Sequence, residues 1–230
     1  MSPIVLGAIL VVLGVARAVI WVAPTTVPSE KQRNVIKEYL DAFIIAGVVA
    51  LVLMHFVVRT FWIPSGSMEP TLDIHDVLLA NEIQYRFQDP KDEQIAVFEP
   101  PAELGTTDFI KRVIAGPSDN IRIHNGSVYR NGRLVNEPYI PASHRPDYEL
   151  EIKNYDIVVD GVPLDPSRAI VPPRSAWQAP DRIPKGFYLM LGDNRNDSND
   201  GHLWGLLPRD HFVGHAFLVF WPVTHFKLLH

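Results

Sequence analysis

The sequence predicts a mostly antiparallel β domain that is anchored by two N-terminal transmembrane helices. Two long apolar segments lie within residues 1–60 of the 230-residue chain. After Asp76, short runs rich in β-branched and aromatic residues alternate with turns, and no later stretch keeps a helical period. Asn125-Gly126 and Asn131-Gly132 lie beside such runs, and Asn-Gly is the strongest short-range signal for a β-hairpin.

The first apolar segment predicts a spanning helix at about residues 3–23. Residues 3–16 carry no charge, and the apolar character resumes after Arg17. The alternative is a signal peptide that ends near Ala18, because the Ala-Arg-Ala sequence there resembles a small-x-small cleavage site. Since its N-terminal part has no Lys or Arg, which such a peptide normally carries, we favour a retained helix.

The second apolar segment predicts a spanning helix at about residues 40–60. Residues 42–58 carry no Asp, Glu, Lys or Arg, and as a helix they would span roughly 26 Å. The sequence TFWI extends the run past Arg59, toward the ~30 Å thickness of a hydrocarbon core. A buried helix of a soluble protein is the alternative for such a run.

Positive charges predict the orientation of these two segments. Lys31, Arg33 and Lys37 lie between them, and few positive charges follow the second segment. The positive-inside rule therefore places the connecting loop, residues 24–39, in the cytoplasm and the rest of the chain outside.

The domain organisation follows from this orientation. Residues 1–63 are predicted to form the membrane anchor, and residues 64–230 an extracytoplasmic β domain. Within that domain the proline-rich residues 138–184 predict an irregular insertion or cap.

Composition excludes several functional classes. The formal net charge of −5 argues against a nucleic-acid partner, which would require a basic patch. The chain has no cysteine, so disulfides, thiolate catalysis and cysteine-based zinc sites are excluded. No H-E-x-x-H sequence occurs and the histidines lack metal-ligand spacing, so no metal signature is found.

A serine with a lysine base is the remaining candidate chemistry. A serine hydroxyl needs a base beside it, and burial can lower the pKa of a lysine enough for this role. Lys111 shares a predicted strand face with apolar neighbours, although it could equally be a surface charge on an edge strand. Ser65 and Ser67 flank Gly66 in a conformationally restricted segment, which suits either a catalytic site or a helix cap. Pattern alone leaves these alternatives open.

Four ordered blocks of sequence resemble the type I signal peptidases, which are membrane-bound serine–lysine proteases. PSGSMEPTL is similar to their nucleophile block and FIKRVIAGPSD to their lysine block. NGSVYRNGRLVNEPY resembles the hairpin region that follows, and LGDNRNDSNDGHLWG the last block. The resemblance covers the chain from the second apolar segment almost to its end. It implies the antiparallel β fold that these peptidases share with LexA-type proteins.

The resemblance also implies a role for individual residues. Ser67 matches the nucleophile and Lys111 the general base. Ser65 matches the position whose hydroxyl forms the oxyanion hole with the Ser67 backbone N–H, and Ser198 the serine that orients the lysine. Three further residues match positions that support the site structurally: Asp193, Arg195 and Asp200.

The chain departs from the family pattern at four places. His202 stands where an arginine usually follows the Asp200 position, which makes a support pair with Asp200 dependent on pH. Glu93 and Gln94 replace a usual Gly-Asp pair, and His75 replaces a glycine. In the lysine block AGPSD replaces GLPGD, so Ser118 also replaces a glycine.

The function implied by the resemblance is the removal of signal peptides from exported preproteins. The resemblance implies in addition that no metal or organic cofactor is needed. Its substrates would carry small residues at positions −1 and −3 before the cut, and its surroundings would be membrane lipid, either a bacterial plasma membrane or a thylakoid. Two alternatives are an inactive membrane-anchored β module that binds exported proteins and a LexA-type self-cleaving protein. The apolar segments and the lack of an N-terminal DNA-binding domain count against the latter.

Overall fold

The computed structural model describes residues 3–23, 29–56 and 58–229. The chain divides into two compact units, Met1–Arg59 and Thr60–His230, so the division falls four residues before the predicted start of the β domain at residue 64. Of the predicted cytoplasmic loop, residues 24–28 lie outside the described residues.

The first unit is a pair of helices, α1 (Pro3–Val22) and α2 (Glu30–Phe56). The helices approach closely at Gly47, because a Cβ added there would lie 2.4 Å from the Leu10 side chain. An ion pair also joins them, with Arg17 Nε 2.7 Å from Asp41 Oδ1. Within the described residues, α1 is the helix that is long and apolar enough to cross a membrane. Two spanning helices are therefore not confirmed.

The end of the second apolar segment differs from the prediction. The helix ends at Phe56, and Val58–Trp62 forms strand β1 instead of extending a span to residue 60. The segment contains β-branched and aromatic residues, which favour strands, and β1 pairs with β2 at the edge of a sheet. At the other end, α2 already begins at Glu30, within the predicted loop.

The second unit consists of two antiparallel sheets, which confirms the predicted β class. The first sheet has the strand order β1-β2-β13-β3-β4-β11-β12, with β14 paired to β13. Besides β1, its strands are β2 (Val77–Asn81), β3 (Ile95–Phe98), β4 (Phe109–Ala115), β11 (Phe187–Leu191), β12 (Leu206–Pro208), β13 (Phe212–Trp221) and β14 (Lys227–Leu228). Two short helices, α3 (Gln84–Phe87) and α4 (Gly201–Trp204), lie in the connections.

The second sheet has the strand order β10-β9-β8-β5-β6-β7. Its strands are β5 (Ile121–His124), β6 (Ser127–Arg130), β7 (Arg133–Leu134), β8 (Leu150–Lys153), β9 (Asp156–Val159) and β10 (Val162–Pro163). Both Asn-Gly pairs form the predicted hairpin turns, because all four residues have positive φ. Residues 138–184 are not an irregular cap throughout: they contain β8–β10, and β8 pairs with β5 in this sheet. Pro163 is compatible with pairing because β10 is an edge strand.

Three departures from the family pattern share one backbone property. His75, Glu93 and Ser118 each stand in place of a glycine, and their φ angles are 74°, 70° and 70°. This left-handed region suits glycine and costs other residues roughly 1 kcal/mol or more. Each of these three residues therefore has a backbone conformation that is strained for a residue with a side chain.

We expect Ser118→Gly to raise the free energy of unfolding by about 0.5–1 kcal/mol, because glycine adopts the left-handed backbone conformation without strain. The greater conformational freedom of glycine in the unfolded chain offsets part of this stabilisation. The matched control is Gly132→Ala. Gly132 has a φ of 74°, and an added Cβ there meets nothing within 4 Å, so this variant should lose stability through the backbone alone. Denaturant unfolding of the detergent-solubilised protein measures both, and an unchanged or lower stability of Ser118→Gly would contradict the strain.

Candidate active site

Ser67 lies in a short 3-10 turn, Gly66–Met68, that follows β1. The Met68 side chain is 1% exposed and packs into a hydrophobic cluster under the first sheet, which fixes the turn from inside. From the other side, the backbone N–H of Asn194 donates to the Ser67 carbonyl at 3.1 Å and Asn194 Nδ2 donates to the Gly66 carbonyl at 3.2 Å. The turn thus holds a half-buried Ser67 hydroxyl at a defined place.

Lys111 lies near the middle of β4, between β3 and β11. Its side chain is 5% exposed, which excludes the alternative of a surface charge on an edge strand. Lys111 Nζ lies 2.7 Å from Ser67 Oγ and donates to the Ile110 carbonyl at 3.1 Å. The Phe109 ring centroid is 5.4 Å away, on the strand face predicted from the alternation. The structure therefore brings the predicted nucleophile and base together across 44 positions of the sequence.

Burial alters the chemistry of this lysine. It lowers the pKa of Lys111 from its ordinary 10.5 to about 8, because desolvation disfavours the charged ammonium. The carboxylates of Asp200 and Asp193 act in the opposite direction and raise this pKa. The net result is an amine that is partly neutral near pH 8 and lies within hydrogen-bonding distance of a serine hydroxyl.

The structure places the two remaining predicted serines differently. Ser65 is exposed, and its Oγ donates toward Ser67 Oγ at 3.4 Å. Ser198 is buried, but within the described residues its Oγ has no hydrogen-bond partner, so the predicted hydrogen bond that orients Lys111 is not present.

Gly192 connects Ser198 to the nucleophile. A Cβ added to this glycine would lie 2.2 Å from Ser198 Oγ and 2.3 Å from the Ser67 carbonyl oxygen. The absence of a side chain thus lets the backbone after β11 pack directly against both serines. The role of Gly192 was not predicted; its position immediately before Asp193, after a buried strand, was the available signal in the sequence.

Comparison with known proteins settles the family. The family model described as "Signal peptidase, peptidase S26" matches residues 36–221. A probable signal peptidase I-2 of Synechocystis sp. is 38% identical over 188 residues, which cover 80% of this chain and 72% of that protein. A probable signal peptidase I-1 of Synechocystis sp. is 36% identical, and the match covers 84% of this chain and 87% of that protein. A signal peptidase I of Leptolyngbya laminosa is 32% identical, and the match covers 87% of this chain and 90% of that protein. The chain belongs to the signal peptidase family.

Two ion pairs lie near the site of this signal peptidase family member, one buried and one partly buried. Arg112 donates Nε to Asp193 Oδ1 at 2.8 Å and Nη2 to Asp193 Oδ2 at 2.6 Å, so the pair is bidentate. Arg195 pairs with Glu137 and also donates Nε to the Gly192 carbonyl at 3.0 Å. Asp193 and Arg195 thus lie where structural support was predicted. Their partners Arg112 and Glu137 were missed, because each lies more than 50 positions away: 81 for Arg112 and 58 for Glu137.

Asp200, the third predicted support residue, is fully buried and caps α4. Its Oδ2 accepts from the Gly192 backbone N–H at 2.8 Å. Its Oδ1 accepts from the backbone N–H of His202 at 3.1 Å and lies 2.7 Å from His202 Nδ1. The His202 ring therefore contacts the Asp200 carboxylate directly.

One group of side chains in the described part of the chain has the geometry to hold a metal ion. The ligand atoms of Asp73, Asp76 and His225 lie within 4.8 Å of one another. His225 Nδ1 is 2.8 Å from Asp76 Oδ1 and 3.5 Å from Asp73 Oδ2, so these groups contact one another directly. We assign the cluster no role in the chemistry of Ser67.

The pKa of Lys111 predicts how the reactivity of Ser67 depends on pH. Below about pH 8 the lysine is mostly protonated and cannot accept the serine proton; above it the neutral amine can. The rate at which a serine-reactive acylating agent modifies Ser67 should therefore rise with pH through a midpoint near 8. Mass spectrometry of the modified peptide measures this rate, and a midpoint near 10 would contradict burial as the source of the basicity.

Proposed function

We propose that this protein is a membrane-bound serine endopeptidase that removes N-terminal signal peptides from exported preproteins. The observation that carries the proposal is the 2.7 Å contact between Ser67 Oγ and the buried Nζ of Lys111. Membership of the signal peptidase family supports the same reaction. The contact between the serine and the lysine does not favour the inactive binding module. The match to the signal peptidase family does not favour the LexA-type alternative, which would use the same pair of residues.

In the proposed mechanism, neutral Lys111 takes the proton from Ser67 Oγ as this oxygen attacks the scissile carbonyl carbon. The hydrogen bond from Nζ to the Ile110 carbonyl restricts the amine to this direction. The protonated lysine then gives its proton to the leaving amine, and an acyl-enzyme remains on Ser67. In the second half of the reaction Lys111 takes a proton from water as this water attacks the ester carbon. The proton then passes from Lys111 to Ser67 Oγ as the ester bond breaks and the signal peptide leaves as a carboxylic acid.

Negative charge on the carbonyl oxygen needs hydrogen-bond donors in the transition state. We assign this role to the backbone N–H of Ser67 and the hydroxyl of Ser65. The Ser65 hydroxyl is exposed and lies 3.4 Å from Ser67 Oγ, so a small rotation directs it toward a substrate instead. Removal of one such donor typically lowers kcat about 10²–10³-fold. We assign to Ser198 the orientation of Lys111 when substrate is bound.

The proposed substrate is an extended segment of a preprotein with small residues at positions −1 and −3. Such a segment binds by main-chain pairing with a strand, and shallow pockets accept its small side chains. The half-buried Ser67 and the exposed Ser65 leave the nucleophile accessible to a polypeptide.

We further propose that both α1 and α2 span the membrane, with the connecting loop in the cytoplasm and the β domain on the extracytoplasmic face of a bacterial plasma membrane or a thylakoid. The apolar segment of α1, Val5–Val22, supports the first span. Several large apolar side chains of α2 are exposed, as lipid contact requires: Phe43, Ile45, Val48, Val49 and Val52. Lys31, Arg33 and Lys37 near the start of α2 support the orientation.

Substitution of either member of the dyad tests the proposed function. Ser67→Ala and Lys111→Ala should each lower kcat for cleavage of a preprotein with an Ala-x-Ala site by roughly 10⁴–10⁶-fold, because each removes a group that acts in the transition state. Ser175→Ala and Lys185→Ala remove a serine and a lysine at exposed positions and should cleave at the rate of the original protein. Gel assays of preprotein processing in detergent measure all four. Cleavage that survives in Ser67→Ala or Lys111→Ala would falsify the dyad.

The absence of cysteine gives a direct test of the orientation. Lys185→Cys places a thiol at an exposed position of the β domain, and Lys31→Cys places one near the start of α2. In intact cells a membrane-impermeant maleimide should label Lys185→Cys and leave Lys31→Cys unlabelled, whereas permeabilised cells should show both labelled. The reverse pattern in intact cells would overturn the topology.

A further inference from the structure

The His202 ring is held in one orientation by two contacts. Its Nδ1 lies 2.7 Å from Asp200 Oδ1, and its plane stacks on the Tyr148 ring at a centroid distance of 4.4 Å and an angle of 14°. The side chain is 14% exposed, so protons from solvent reach it while most of the ring is covered. Histidine is the side chain whose charge ordinarily changes between pH 5 and 8.

Asp200 transmits this contact to the dyad in two ways. Its second oxygen, Oδ2, accepts from the Gly192 N–H, and the Gly192 backbone packs against the Ser67 carbonyl oxygen. Its negative charge also favours the ammonium form of Lys111 and so opposes the effect of burial. A positive charge on His202 offsets that carboxylate, whereas a neutral ring leaves its field acting on the lysine.

Apart from Lys111, His202 is the group whose charge can vary among the charged groups that the structure describes near the Asp200 carboxylate. Asp193 is engaged by Arg112 and Glu137 by Arg195, and arginine keeps its charge at all working pH values. Tyr148 faces Asp200 and His202, and Asp147 lies near its hydroxyl; burial raises the pKa of Tyr148, so this phenol stays neutral. Of the groups packed around Asp200, His202 and Lys111 are therefore those whose charge can change.

We propose that His202 is a positioning residue that sets the basicity of Lys111 through Asp200. Protonation of the histidine and protonation of the lysine oppose each other, because both cations are stabilised by the same buried carboxylate. A protonated His202 makes Lys111 give up its proton more readily, and so extends the activity of the dyad to lower pH. The predicted effect on preprotein cleavage rests on the proposed function, whereas the coupling between His202 and Lys111 does not.

Charge variants at position 202 test this coupling. His202→Arg carries a permanent positive charge and His202→Gln none. The acid limb of kcat/KM for preprotein cleavage should lie about 0.5–1 pH unit lower in His202→Arg than in His202→Gln, with the original protein at or between the two values. His202→Lys and His202→Asn form a second pair of the same charges in case one of the first pair does not fold. His211→Gln removes a histidine whose ring hydrogen-bonds to the Glu99 carbonyl instead, and should leave the limb in place.

A second measurement does not depend on catalysis. In the Ser67→Ala background, competitive labelling of Lys111 with acetic anhydride at a series of pH values, read by mass spectrometry, reports the protonation of its amine. The midpoint should again be lower with arginine than with glutamine at position 202. If cleavage is absent but the labelling midpoints differ, the proposed function fails and the coupling stands. Equal midpoints in the two variants, or an equal loss of rate at every pH without a shift of the limb, would overturn the coupling and leave His202 a packing residue.

Discussion

A lysine can serve as a base near neutral pH only if its ammonium form is made unfavourable, and the position of Lys111 within the first sheet meets this requirement. β3 and β11 pair with β4 on both sides, which makes β4 an interior strand, and the Lys111 side chain is 5% exposed. The amine is left with Ser67 Oγ and the Ile110 carbonyl as partners. The placement of the serine turn, the loop after β11 and α4 can all be understood as support for this contact.

Burial of the lysine is balanced by buried carboxylates, and the balance decides whether the amine can act. Asp193 and Asp200 both favour the charged lysine and so act against the effect of desolvation on its pKa. The bidentate pair with Arg112 engages Asp193, and His202 together with the Gly192 N–H engages Asp200. The ion pairs around the site thus contribute to its chemistry as well as to its rigidity. A buried pair by itself is weak evidence for stability, which makes this electrostatic role the stronger explanation of their presence.

Local pattern predicted those features that depend on neighbouring residues. The two Asn-Gly turns and the apolar neighbours of Lys111 were visible in the sequence, and they led to the β class and the candidate base. The pairing of Arg112 with Asp193 was not visible, since it joins residues 81 positions apart, and the same holds for Glu137 and Arg195. The predicted C-terminal end of α2 was wrong because an apolar and aromatic run such as Val58–Trp62 suits a strand as well as a helix. The approach of Gly192 to Ser67 depends on tertiary packing alone.

The departures of this chain from its family fall into two physical kinds. At His75, Glu93 and Ser118 a glycine is replaced, yet the backbone keeps a left-handed φ, so the consequence is local strain and a cost in stability. At His202 the backbone is unremarkable, but a group of variable charge contacts the carboxylate that acts on Lys111. The first kind bears on stability, and the second would change the pH range of the reaction if the proposed coupling through Asp200 holds. Of the four departures, His202 is thus the one that the proposal connects to the site, and it does so through Asp200 without a contact to the serine or the lysine.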